Sequence, residues 1–130
     1  MELHLQPRIF IVEDNLLYQQ LIAKELQSLS GDIHFFTKGE HCLENLDKHP
    51  SVIILDYNLE GDMNGLDTLM EIRKFDSSIF VILFSNQKDL NTCENKRHYG
   101  SFNFVEKKDH SFRLLKQMID ATHIIDAGIE

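Results

Sequence analysis

Five residues of this sequence carry the side chains that phosphoryl transfer needs, although they stand far apart: Glu13, Asp14, Asp56, Ser85 and Lys107. Three carboxylates brought together repel one another unless a hard cation neutralises them. Mg²⁺ suits that task, taking one or two carboxylates, a carbonyl and waters. Such a cation also screens an incoming phosphoryl group, so that a carboxylate can approach it as nucleophile. A lysine on the far side neutralises phosphoryl oxygens as a point charge. A serine hydroxyl can donate one hydrogen bond to an oxygen present only after transfer. Each residue alone has an ordinary reading. Asp14 would be a helix cap, Asp56 a turn residue, Ser85 a cap and Lys107 a solvated surface lysine. The chemistry exists only if one fold gathers all five.

The elements that must gather them are legible as alternating strands and helices. Arg8-Ile9-Phe10-Ile11-Val12 is a short apolar run that ends in Glu13-Asp14-Asn15, any of which can cap the helix that follows. That helix carries Leu17, Tyr18, Leu21, Ile22, Leu26 and Leu29 as its apolar face and stops at Ser30-Gly31-Asp32. Ile33–Phe36 is a second strand. Thr37, with Glu40 three residues on, can open a helix to about Lys48 through a capping box, with Cys42, Leu43 and Leu46 facing inward. His49-Pro50 ends it. Ser51–Leu55, mostly β-branched, is a strand buried on both faces, and Asp56 follows at once. Gly65 begins a helix with Leu66, Leu69, Met70, Ile72 and Phe75 as apolar positions. Ile79–Phe84 is the fourth strand and ends in Ser85-Asn86. Gln87–Tyr99 predicts a short helix, because only Leu90, Cys93 and Tyr99 are apolar there, and Gly100 stops it. Phe102–Val105 is a fifth strand, followed by Glu106-Lys107-Lys108-Asp109. The last helix carries Phe112, Leu115, Met118, Ile119 and Ile125.

Strand and helix alternate five times, which predicts an α/β domain with a doubly wound parallel sheet covered on both faces. In such a sheet all strand carboxyl ends share one edge, where these folds bind ligands. One domain is expected to use the whole chain, 1–130, with its core over about 8–125. Apolar residues are 42% and charged residues 26%, a globular and soluble composition. No apolar run approaches ~20 residues, so no membrane span is expected, and no signal peptide is visible at the start. The formal net charge of −8 argues against direct nucleic-acid binding but leaves docking on a basic partner open. Lys96-Arg97-His98 reads as a solvated face or as such a docking patch. Cys42 and Cys93 form no disulfide framework, and the scattered histidines lack metal-binding spacing.

Taken in order, these motifs strongly resemble the response-regulator receiver domain of two-component signalling. They are Val12-Glu13-Asp14, Leu55-Asp56-Tyr57-Asn58-Leu59, Met63-Asn64-Gly65, Leu83-Phe84-Ser85, and Gly100 through Phe104-Val105-Glu106-Lys107. The resemblance runs from about Arg8 to about Ile125 and implies a flavodoxin-like (βα)5 fold of strand order 2-1-3-4-5, in the manner of single-domain chemotaxis regulators. It also implies that Asp56 accepts a phosphoryl group from a histidine kinase or histidine phosphotransfer protein. Asp14, Asp56 and the Asn58 backbone carbonyl would hold Mg²⁺, with Glu13 helping through water. Ser85 and Lys107 would hold the phosphoryl group, and Phe104 would change orientation with Ser85. Asn58 and Asn86 would tune rates. The fourth helix, fifth strand and fifth helix would dock a downstream protein. Such a protein is cytoplasmic and a regulator; it phosphorylates itself and slowly dephosphorylates, without being an enzyme in the ordinary sense. In the implied strand order the helices carrying Cys42 and Cys93 are separated, so a bridge, which needs Cα atoms within ~7 Å, is not expected.

Three departures from the family pattern stand out. Lys108 occupies the position of a proline that often follows a cis bond. A cis bond before a non-proline residue costs about 2.5–4 kcal/mol, so Lys107-Lys108 is expected to be trans and the loop reshaped. The stretch Asp56–Gly65 is one residue longer than usual and has Glu60-Gly61-Asp62 in place of a proline, so a bulged loop is expected. Asn86 stands where a small residue is common, and is expected to narrow access to the phosphoryl group. Two other readings compete: a Mg²⁺-dependent phosphohydrolase with an aspartyl-phosphate intermediate, and a pseudo-receiver that only binds. The first commonly has a second aspartate where Asn58 stands; the second would normally have lost an acidic residue or the lysine.

Overall fold

The computed structural model describes residues 7–29, 31–86 and 102–126. Strand β1 (Arg8–Val12) leads through α1 (Leu16–Leu26) to β2 (Asp32–Phe36). Helix α2 (Gly39–Glu44) and a 3-10 turn (Leu46–Lys48) connect β2 to β3 (Val52–Leu55). Then come α3 (Gly65–Phe75), β4 (Phe80–Ser85), β5 (Asn103–Glu106) and the C-terminal helix α4 (Ser111–Asp126). The helix expected over Gln87–Tyr99, with Cys93 and Lys96-Arg97-His98, lies outside the described residues. So does the side chain of Ile125.

The five strands form one parallel sheet in the order β2-β1-β3-β4-β5, the expected doubly wound plan. Side chains of a strand alternate between faces, and on the three inner strands, β1, β3 and β4, nearly every residue of both faces is buried. Phe10, Val12, Ile53, Leu55, Val81 and Leu83 point to one side, against Cys42 and Leu46 and the α3 residues Leu66, Leu69 and Ile72. Ile9, Ile11, Val52, Ile54, Ile82, Phe84 and Val105 point to the other, against Ile22 and Leu26 of α1 and Leu115 and Ile119 of α4. Cys42 is a buried free thiol whose pKa is pushed up to about 12 by that burial.

Several local expectations are corrected. On α1 only Ile22 and Leu26 are fully buried, while Leu17 (61%) and Leu21 (38%) are exposed beside Leu16. The buried row runs at four-residue steps through 22 and 26, and Leu17 and Leu21 stand one residue, ~100°, around the helix from it. Phe75, at the end of α3, is also exposed. Thr37 does not cap α2: the N-cap is Lys38, with no side-chain hydrogen bond. Glu40 instead accepts the Asp62 N–H (3.1 Å), because Lys38 pairs with Glu60 and brings the β3–α3 loop beside it. The helix also stops at Glu44 rather than Lys48, giving way to the 3-10 turn. Strand limits otherwise move by one residue, and Ser85 closes β4 rather than following it.

Candidate functional site

Backbone pairing carries the sheet one step past its strands, and that step aligns the site. Glu13 N–H donates to the Phe36 carbonyl (2.8 Å), Asp56 N–H to the Val12 carbonyl (3.0 Å) and Lys107 N–H to the Ser85 carbonyl (2.7 Å). Asn15 caps α1, its side chain accepting the Tyr18 N–H (3.1 Å), so the chain turns immediately after Glu13-Asp14. Asn64 and Asp67 form a reciprocal capping box at the start of α3. A Cβ on Gly65 would lie 2.3 Å from the Asp56 carbonyl oxygen, so only glycine lets α3 begin this close to the strand end. Gly61, at φ +89°, makes the turn in the loop between them.

All five of the scattered residues meet at this edge. Asp56 Oδ1 accepts the Ser85 hydroxyl (2.9 Å) and, more weakly, the Asn58 N–H (3.4 Å). Asp56 Oδ2 faces the Lys107 ammonium (3.1 Å), which also stands 2.9 Å from Glu13 Oε1. Glu13 Oε2 accepts the Asn15 N–H (3.1 Å). Glu13, Asp56 and Ser85 are buried. Asn58 and Asn86 are exposed beside the site. Phe104 is partly buried on the α2–α3 side of the sheet, opposite Leu83 in register.

The charges do not balance. Burial, reinforced by the Asp56 charge, pushes the Glu13 carboxyl up to about 7 against the opposing pull of Lys107. Burial and then the charges of Asp56 and Glu60 raise Asp14. Burial works against the Lys107 ammonium, but Glu13 and Asp56 outweigh it and hold its pKa above the usual lysine value. Carboxylate oxygens of Glu13, Asp14 and Asp56 all lie within 4.8 Å of one another. Glu13 Oε1 is buried, and its contact is the ion pair with the Lys107 ammonium. An all-oxygen set of three carboxylates that faces a single ammonium fits a hard divalent cation.

A family model described as the response regulator receiver domain matches residues 9–120. The chain belongs to the response regulator receiver family. It is 30% identical over 118 residues to a protein-glutamate methylesterase/protein-glutamine glutaminase of Clostridium acetobutylicum, covering 87% of this chain and 34% of that protein. It is 29% identical over 105 residues to the luminescence regulatory protein LuxO of Vibrio campbellii, covering 80% of this chain and 23% of that one. The chain thus spans about a third or less of the length of these relatives. Among solved structures, the signal receiver domain of a LuxO repressor protein from Vibrio parahaemolyticus superposes with TM-score 0.78 at 28% identity, over 96% of this chain and 95% of that one. The chemotaxis protein CheY4 of Vibrio cholerae shares the fold at TM-score 0.76 and 18% identity, over 89% of this chain and 98% of that one.

Within this receiver, the expected trans geometry at Lys107-Lys108 is found; no described peptide bond is cis. The Lys108 N–H donates to Ser111 Oγ (3.1 Å) at the start of α4, a bond that proline could not make. Three participants escaped the sequence reading. Gln19 Nε2 donates to the Glu13 carbonyl (2.6 Å), and Glu40 pins the loop after Asp56. Tyr18, read only as part of an apolar face, has its ring 4.2 Å from the Lys107 ammonium. The available signal was an aromatic residue one turn beyond Asp14.

Proposed function

We propose that this receiver is a phosphorylation switch in which Asp56 accepts a phosphoryl group from a phosphohistidine of a histidine kinase or phosphotransfer protein. The observation that carries the reading is the buried Asp56 carboxylate, with Ser85 Oγ at 2.9 Å, Lys107 Nζ at 3.1 Å and two further carboxylates beside it. An Asp56 oxygen forms the new P–O bond, the P–N bond to the donor imidazole breaks, and a proton returns to that imidazole. Lys107 neutralises phosphoryl oxygens, and Ser85 redirects its hydroxyl from Asp56 Oδ1 to one of them. Asp14, Asp56 and the Asn58 carbonyl would hold Mg²⁺, with Glu13 nearby; the ion supplies charge neutralisation when bound. Movement of Ser85 and Lys107 then biases a two-state equilibrium, with Phe104 following, and alters docking of a downstream protein on the face around β5 and α4. We place this exchange in the cytoplasm, with the protein acting as a regulator and not as an enzyme of turnover.

The test is intact mass after incubation with Mg²⁺ and a small acyl phosphate. One phosphoryl adduct is expected, and none in Asp56→Asn. No adduct under any condition sinks the switch and leaves a binding module; multiple turnover of phosphate esters would make the protein a hydrolase. Asn86, exposed next to Ser85, is assigned a gating role. Asn86→Ala is expected to change the rate of adduct gain or loss, and unchanged rates would refute that role.

A further inference from the structure

We infer that Tyr18 is the positioning residue for Lys107: its ring forms one wall of an aromatic seat that aims the ammonium at the phosphoryl site. The inference rests on the phosphoryl-transfer reading of Asp56. Lys107 Nζ lies 4.2 Å from the Tyr18 ring centroid and 5.7 Å from that of Phe84. The seat is built from three elements. Tyr18 stacks on Phe112 of α4 (6.1 Å, 18° between planes), and Phe112 meets Phe84 edge-on (5.3 Å, 77°). Asn15 fixes the start of the seat, because the N–H that it caps belongs to Tyr18 itself.

A lysine on a four-carbon stem does not aim itself; its ammonium samples many rotamers and is strongly hydrated. Here the ammonium donates one hydrogen bond to Asp56 Oδ2 and ion-pairs with Glu13. The ring covers a further side of the ammonium, which leaves Lys107 only 12% exposed. The ring face attracts the cation without accepting a hydrogen bond that would compete with a phosphoryl oxygen. The lysine therefore stays charged, dry and directed at Asp56 before the phosphoryl group arrives, so that less reorganisation remains to be made during transfer.

The test measures the rate of phosphoryl-adduct formation from acetyl phosphate at saturating Mg²⁺. Tyr18→Leu removes the ring but preserves the backbone cap, and is expected to slow the rate by about three- to thirtyfold, the range of a cation–π contact. Tyr18→Phe, which keeps the ring, is expected to restore it to within about twofold of wild type. A second measurement needs no variant: in the wild-type protein the Lys107 ε-methylene protons should show an upfield ring-current shift in NMR spectra and a cross-peak to Tyr18 ring protons. Wild-type rate in Tyr18→Leu, equal slowing in Tyr18→Phe, or the absence of the ring-current shift would each overturn the inference. A wild-type protein that shows the shift but takes up no phosphoryl group would instead remove the phosphoryl-transfer reading, and the rate role of Tyr18 with it.

Discussion

Glu13 is the residue at which the fold and the site pull against each other. Its carboxylate is buried beside Asp56 and leans on one ammonium that Asp56 also uses. Unfolded, it titrates near the ordinary 4.5; folded, near 7. Between those values the native state holds a proton that the unfolded chain does not. Stability from this group is therefore greatest at the low end, falls as pH rises to about 7, and is flat above. The loss is about 3 kcal/mol. In chelator, the melting temperature of wild type should fall relative to Glu13→Gln between about pH 5 and about pH 8. Parallel curves would show that Glu13 does not titrate in this range. Asp56, Ser85 and Lys107 were picked out from residue type and place in the chain. Tyr18 was not, because nothing in a sequence distinguishes a ring beneath a cation from a ring in a core.

At the scale of elements, periodicity located the described helices but did not orient all of them. Leu16, Leu17 and Leu21 are as apolar as Ile22 and Leu26, yet the first three face outward. Ile22→Ala should cost about 2–5 kcal/mol, whereas Leu17→Gln should stay within about 0.5 kcal/mol of wild type in denaturant unfolding. A large loss at Leu17 would mean that α1 is rotated from the orientation described. Glu40 is a similar case. Its spacing from Thr37 satisfies the capping-box pattern, but the β3–α3 loop comes close enough to claim its carboxylate. Local pattern lists the bonds a side chain can make; the neighbouring loop decides which is made. Gly65 was legible as the start of α3, but its close approach to the Asp56 carbonyl became visible only with the strand in place.

At the scale of the molecule, the three acidic groups converge with too few positive charges among the described residues to neutralise them, in a chain of formal charge −8. A ligand that binds only the folded state raises its stability by mass action. Millimolar Mg²⁺ at pH 8 should therefore raise the melting temperature of wild type, and Asp14→Asn should largely lose that gain. An equal rise in both proteins would place the cation elsewhere. The sequence by itself determined the order of the strands and of the described helices, inner strands buried on both faces, and which polar residues stand at the strand ends. Those features are local: apolar runs, caps and turn residues are read from neighbours in the chain. The tertiary structure alone decided which face of α1 is buried, which partner Glu40 takes and that Tyr18 lies against Lys107. These depend on residues distant in sequence that are brought within a few ångströms only when the sheet is assembled. The cluster around Asp56 lies between the two cases. Its members could be named from the chain, but the distances that let them act together exist only because five parallel strands end on one edge.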